Sequence, residues 1–370
     1  MIKLTLIVLC IFISFLYGMS VIQYEIFPYE NLKNLMILFN NSHDDKNFEP
    51  TVYENEIRSL ISINSKQDIF EKRLNMIEYI WNESEFPSNG NISLIKNFSD
   101  ERYEDLDNLD SMDKITVSMQ YDVNSIAYLF HSKISTGNLI IYHEGHNGDF
   151  INGKYSIQFF LNEGYDVLAF SMPLLGMNNQ PIVDTSFGKI KLSTHNHLKF
   201  LDNQKFSSLV FFFEPIFTSI DFLENEFNYD SYNMLGISGG GWTTTVYSSI
   251  DDRISNSFSI SDSFPIYLRS DAKNLGDYEQ TIPDFYSISN YLEIYILSSY
   301  DENRTHIQFL NKYDPCCFSG ESNILYKDIV EEFVAKLDGG KFDIIIDDTH
   351  KEHKISDFVL SKIIQELRNT

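Results

Sequence analysis

The sequence predicts an α/β fold, doubly wound on a mostly parallel sheet. Three observations carry that prediction. After Asp113 the chain breaks into short β-branched and aromatic runs punctuated by Gly, Asn, Asp and Pro, with helix-like stretches between them. Those runs are apolar almost throughout rather than alternating, which requires a sheet covered on both faces. The 370 residues are 43% apolar and 15% aromatic, enough for a large core and incompatible with a chain disordered throughout.

In chain order, KITVSMQY (114–121) and SIAYLFHS (125–132) read as an antiparallel pair. NLIIYHEGH (138–146), DVLAFSMP (166–173), YNMLGIS (232–238), ISNSFSIS (254–261), THIQFLNKYD (305–314) and FDIIIDDTH (342–350) follow as strands. Helices are read at TSIDFLENEF, WTTTVYSSI, IYLRS, YKDIVEEFVAKL and ISDFVLSKIIQEL.

The domain reading is 1–22, 23–112 and 113–370. From Leu4 to Ile22 no side chain is charged and Lys3 stands in front, a span close to the roughly 20 helical residues that cross a bilayer. Leu16-Tyr17-Gly18 is a poor cleavage site, which favours an uncleaved anchor over a signal peptide. Lys3 then leaves the amino end inside and the rest outside the cytoplasm, or secreted if the segment is cleaved. Residues 23–112 read as a polar, mainly helical extension, with Ile69, Leu74, Ile77 and Ile80 on a stripe and an acidic connector over residues 99–113.

With 53 acidic against 28 basic side chains, the net charge of −25 excludes nucleic acid as a partner and leaves only hydrophobic attachment to an anionic membrane. Three cysteines, Cys10, Cys316 and Cys317, make no disulfide scaffold, and no Cys/His pattern has zinc spacing. No metal or cofactor is expected. Adjacent Cys316 and Cys317 read as buried thiols, with a vicinal disulfide as the alternative.

The sharpest chemical feature is Gly236-Ile237-Ser238-Gly239-Gly240, at a strand-to-helix junction. A serine hydroxyl is a weak nucleophile unless a tight turn exposes it, and flanking glycines tolerate the crowded backbone such a turn demands. It also needs a base, held by a carboxylate. Downstream histidines are His306, His350 and His353. His306 falls inside a strand. His353 leads directly into the last helix and is preferred to His350. Asp314 ends a strand before Pro315 and is the preferred acid, with Asp262 the runner-up. Oxyanion donors are assigned to the amides of Gly239 and, in LIIYHEGHNGD, His146. His143 and His146 stand three apart rather than four, so the helical zinc-protease pattern is absent.

The segments LIIYHEGHNGD, NMLGISGGGW, HIQFLNKYDPCCF and DDTHKEHKIS, in that order, resemble the α/β-hydrolase superfamily over roughly residues 113–370. Within it the chain resembles the esterase and peptidase-like branch; HEGH stands where other members carry an HGGG oxyanion loop. The resemblance implies a triad of Ser238, Asp314 and His353 and a Ser-acyl intermediate, with a small-molecule or acyl substrate as the partner. The expected activity is carboxylic ester hydrolysis; amide or peptide hydrolysis, or a binding protein that keeps the fold, are the alternatives. Residues 173–232 are longer than a simple crossover and are expected to hold a cap over the pocket.

Overall fold

The computed structural model of the protein describes residues 54–87, 90–337 and 339–369, with positions 14 and 17 in isolation. The expected anchor at residues 1–22 therefore lies outside the described residues apart from Ser14 and Tyr17. Among the described residues no helix is long and apolar enough to cross a membrane.

Helices α1 (Glu54–Ser59) and α2 (Lys66–Trp81) come first, α2 opened by a capping box between Ser65 and Asp68. Strands β1 (Asn91–Ile95), β2 (Leu109–Ser118), β3 (Asn124–Ser132) and β4 (Asn138–His143) follow, then α3 (Lys154–Asn162) and β5 (Asp166–Phe170). A hairpin of β6 (Ile182–Thr185) and β7 (Gly188–Lys191) and a short α4 (His195–Leu198) precede α5 (Val210–Glu226). The second half runs β8 (Ser231–Ile237), α6 (Gly239–Ile250), β9 (Ile254–Ile260), α7 (Pro283–Ile288), α8 (Tyr291–Ser299), β10 (Thr305–Asn311), α9 (Lys327–Lys336), β11 (Lys341–Asp347) and α10 (Asp357–Leu367).

Nine strands form one sheet in the order β1-β2-β3-β5-β4-β8-β9-β10-β11. The pairs from β5 through β11 are parallel, and β1, β2 and β3 continue the sheet antiparallel. Every residue of β5 and of β10 is buried, as their unbroken apolar character demands. Apolar residues of α3 and α10 cover one face, while α5, α6, α8 and α9 contribute to the core on the other. From β4 the chain passes through α3 to β5 on one side, then returns through α5 to β8 on the other. The switch point lies between the carboxyl ends of β4 and β8, where His143 pairs with Gly236, and a crevice opens there.

Three readings need correction. Residues 91–95, within the stretch read as helical, form edge strand β1, and β2 already begins at Leu109 inside the supposed connector. IYLRS supplies one 3₁₀ turn, Ile266–Leu268, rather than a helix. Met76, not Leu74, joins Ile69, Ile77 and Ile80 on the buried stripe of α2. Within the stretch 173–232, expected to contain a cap, α5 joins the main core as a crossover helix and residues 173–209 precede it.

The early helices are stitched to the sheet unit by buried charge. The Glu293 carboxylate, at the start of α8, accepts from the Ser62 amide and hydroxyl at 2.8 and 2.7 Å and from Lys72 Nζ at 2.9 Å. Arg304, buried before β10, donates to the carbonyls of Ile254 (2.9 Å), Leu297 (3.2 Å), Tyr300 (3.2 Å), Asp251 (3.2 Å) and Ser248. Its guanidinium thereby satisfies helix carboxyl ends that burial has cut off from water. Arg304→Met should cost about 3–5 kcal/mol, since the stem volume stays but the carbonyls lose their donor. A fall in the denaturant midpoint at unchanged slope would register that loss.

Candidate active site

The chain leaves β8 at Ile237 and enters α6 at Gly239, so one residue, Ser238, makes the whole turn. It does so at φ 56° and ψ −124°, a conformation costly for any residue bearing a Cβ. Hydrogen bonds hold it there: the Ser238 amide donates to Ile260 O at 2.8 Å, and the Trp242 amide donates to Ser238 O at 2.9 Å. Glycines make room around it. A Cβ on Gly236 would stand 2.2 Å from Gly240 O, and one on Gly240 would stand 2.1 Å from His143 O. The glycines read from the sequence are thus required by close backbone approach.

Asp314 follows β10 at the carboxyl edge of the sheet, buried, and its carboxylate is surrounded by donors. Asp314 Oδ2 accepts from His353 Nδ1 at 2.7 Å, Ser261 Oγ at 2.9 Å and Asn311 Nδ2 at 3.3 Å; Oδ1 accepts from the Cys316 amide at 2.8 Å. Burial opposes its ionisation, but the His353 hydrogen bond and charge, with the other donors, outweigh it and hold the carboxyl below its ordinary range. The converse holds at His353: burial disfavours the imidazolium, Asp314 favours it more strongly, and the pKa rises above that of a free histidine. With Nδ1 committed to the carboxylate, Nε2 is the nitrogen left for chemistry.

Ser238 and His353 line one open cavity of about 850 Å³, together with Glu144, Gly145, Asn147 and His350. Position 145 touches the elbow directly, for a Cβ there would lie 2.8 Å from Ser238 Cβ. His146 comes next, and its ring occupies the space beside Gly239, whose own Cβ would fall 2.5 Å from His146 Nδ1. The loop assigned to the oxyanion and the helix start after Ser238 are therefore neighbours.

The other candidates have partners of their own. Asp262 is wholly buried and accepts from Thr245 Oγ1 (2.9 Å), Ser263 Oγ (2.7 Å) and Gln308 Nε2 (3.1 Å), which places it behind α6 in a polar knot of its own. His350 Nε2 lies 3.2 Å from Asp347 Oδ2, a carboxylate that also accepts from Ser356 Oγ. His306 is buried in β10 against Ser257 Oγ at 2.8 Å, and burial pushes its pKa down to about 3. Cys316 is exposed, contrary to its reading as a buried thiol, whereas Cys317 is buried; both are free, with sulfurs 3.1 Å apart.

Two features were not anticipated. Glu144 is a buried carboxylate on the cavity wall, accepting from Tyr142 OH at 2.5 Å and from the Gly145 amide at 3.0 Å, and burial raises its pKa. Alongside, His146, His195, Asp277 and Glu279 converge into one cluster of potential metal ligands. Burial opposes charge on His146, yet the carboxylates of Asp277 and Glu279 more than compensate and raise its pKa to about 10.

No protein-family model and no curated protein matches the sequence. Solved structures do match. The acetyl xylan esterase from Paenibacillus sp. R4, 12% identical, aligns over 87% of this chain and 99% of its own at a TM-score of 0.55. The fold is that of the α/β-hydrolases. The glucuronoyl esterase from Solibacter usitatus (11% identity, 80% of this chain and 91% of that one, TM-score 0.54) agrees. So does acetyl xylan esterase 1 from Thermoanaerobacterium sp. JW/SL YS485 (13%, 87% and 98%, TM-score 0.51). In this fold the parallel strands β5 through β11 are the framework, and the turn at Ser238 sits at the switch point, where open α/β sheets place ligands.

Proposed function

We propose that the protein is a serine hydrolase that cleaves carboxylic esters through an acyl intermediate on Ser238. The observation that carries this reading is the 2.7 Å hydrogen bond from His353 to a buried, fourfold-donated Asp314, with His353 on the wall of the cavity that Ser238 also lines. In the acylation step Ser238 Oγ attacks the ester carbonyl carbon while His353 Nε2 takes its proton. The amides of His146 and Gly239 hold the negative oxygen of the tetrahedral intermediate. His353 then returns the proton to the departing alcohol, and the bond between carbonyl carbon and leaving oxygen breaks. Water repeats the sequence on the acyl-enzyme, releasing the acid and freeing Ser238. Asp314 keeps its charge throughout, fixing the ring orientation and stabilising the imidazolium.

Esters are preferred to amides because the solved structures of the same fold named above are acetyl xylan esterases and a glucuronoyl esterase. Small acyl groups, acetyl first, are the proposed substrates. A fluorophosphonate should add covalently to the native protein, and Ser238→Ala should abolish the adduct seen by intact mass; an adduct that survives the substitution, or none on the native protein, overturns the reading. The apolar run from Leu4 to Ile22 is proposed as a membrane tether. Full-length protein retained in carbonate-washed membranes supports this, and recovery in the wash contradicts it.

A further inference from the structure

Three segments distant in sequence bring four potential ligand atoms to one point beside the serine turn. His146 Nε2 lies 3.1 Å from His195 Nδ1, 3.2 Å from Glu279 Oε1 and 3.1 Å from Asp277 Oδ2. His195 Nδ1 in turn lies 3.1 Å from Glu279 Oε1 and 3.8 Å from Asp277 Oδ2, and all four atoms fall within 4.8 Å of one another. A tetrahedral zinc ion with nitrogen and carboxylate ligands at about 2.0–2.2 Å holds those ligands roughly 3.3–3.6 Å apart. The cluster already has nearly those dimensions.

Hydrogen bonds alone complete the group poorly. His195 is buried, and its Nε2–H donates to Pro173 O at 2.9 Å, so Nδ1 is the nitrogen that faces the Glu279 oxygen 3.1 Å away. A backbone carbonyl behind the ring is also how proteins orient a metal-ligating histidine. Glu279 is wholly buried, and its second oxygen, Oε2, has no hydrogen-bond partner among the described residues. A buried carboxylate with an unpaired oxygen is expensive unless it neutralises a positive charge.

We propose that His146, His195, Asp277 and Glu279 bind one zinc ion in a closed site with two nitrogen and two oxygen ligands. This donor set suits zinc better than magnesium or calcium, which prefer six or more oxygens. Four protein ligands leave no open position, so the ion is structural rather than catalytic. It would tie the loop after β4, the insertion through α4, and the turn before α7 into one unit beside Gly239, reversing the expectation of a metal-free chain. The inference does not depend on ester hydrolysis, and its test reads metal rather than turnover.

Full-length protein is stripped with a chelator, dialysed against zinc or cobalt(II), and assayed by elemental analysis and visible absorption. The expected result is one zinc per chain, and cobalt(II) bands of tetrahedral intensity that zinc displaces. Asp277→Asn, at the most exposed ligand, should weaken zinc binding at least by the roughly 10- to 100-fold that loss of an outer-sphere partner costs, and His195→Gln should do the same. Circular dichroism confirms that each variant is folded. A Cys316→Ser/Cys317→Ser double variant should keep its zinc, because the other group of candidate ligands, Cys316, Cys317 and His353, is not the proposed site. Substoichiometric zinc in folded native protein, a six-coordinate cobalt spectrum, or zinc lost with the cysteines but retained in both Asp277→Asn and His195→Gln would overturn the proposal.

Discussion

Replacing Ser238 by alanine is expected to lower kcat for p-nitrophenyl acetate by roughly 10³- to 10⁶-fold while leaving the fold intact. In the proposed route the hydroxyl forms the covalent bond, so no neighbouring group should substitute for it. Residual catalysis would come from binding and from the amides of His146 and Gly239, which the substitution does not touch. The methyl group of alanine fits wherever the serine Cβ already sits, and the strained φ of 56° is unchanged because both residues carry a Cβ. The far-ultraviolet circular dichroism and thermal midpoint should therefore match the native protein within error. Single-turnover kinetics beside those two readings separates loss of chemistry from loss of structure.

Asp314→Asn should be the second-largest effect, about 10⁴-fold in kcat. The amide keeps the volume but presents no charge to the imidazolium, and its NH₂ can turn toward His353 Nδ1 and select the wrong tautomer. The pH profile supplies an independent signature. The proposed route needs neutral His353, so kcat/KM should rise with pH through that group's pKa and be lost below it. In the native protein this acid limb lies above the ordinary histidine value, because Asp314 more than offsets the effect of burial. Removing the carboxylate leaves burial as the main influence, so the limb should move to lower pH as the rate falls. An unmoved limb would mean that Asp314 does not govern the titration of His353.

What the sequence made legible was the backbone context of the proposed site residues. Ser238 shows itself through the glycines that crowd its turn, and Asp314 through a strand stopped by proline. His353 is marked by the last helix behind it. Each signal is a backbone circumstance confined to a few residues. The elements that escaped did so for stated physical reasons. Helix α8, YLEIYILSS, is buried at all nine positions, so it has no polar face and no helical period to detect. Strand β1, NISLI, alternates between exposed and half-buried positions on the sheet edge, and its asparagine and serine resemble a loop.

The cluster at His146 was illegible for a different reason. Its members come from separate segments, His195 lying 49 positions after His146 and Glu279 84 positions after His195, so no spacing rule connects them. Only the return of the chain over the switch point brings them together. Glu144 illustrates the same limit, for nothing in HEGH says that its carboxylate would be buried on the cavity wall beside Ser238. Fold-level reasoning locates the edge of the sheet where such groups gather, and tertiary packing decides which of them meet.

The most direct test of the acyl route is chemical trapping during turnover. Native protein mixed with p-nitrophenyl acetate and quenched in acid within the first turnovers should yield a peptide containing Ser238 that carries one acetyl group, with a burst of p-nitrophenol of the same stoichiometry. His353→Ala should show neither. An acetyl group on Cys316 or a lysine instead, or turnover with no acylated peptide in any quench, would contradict the assignment of Ser238 as the nucleophile.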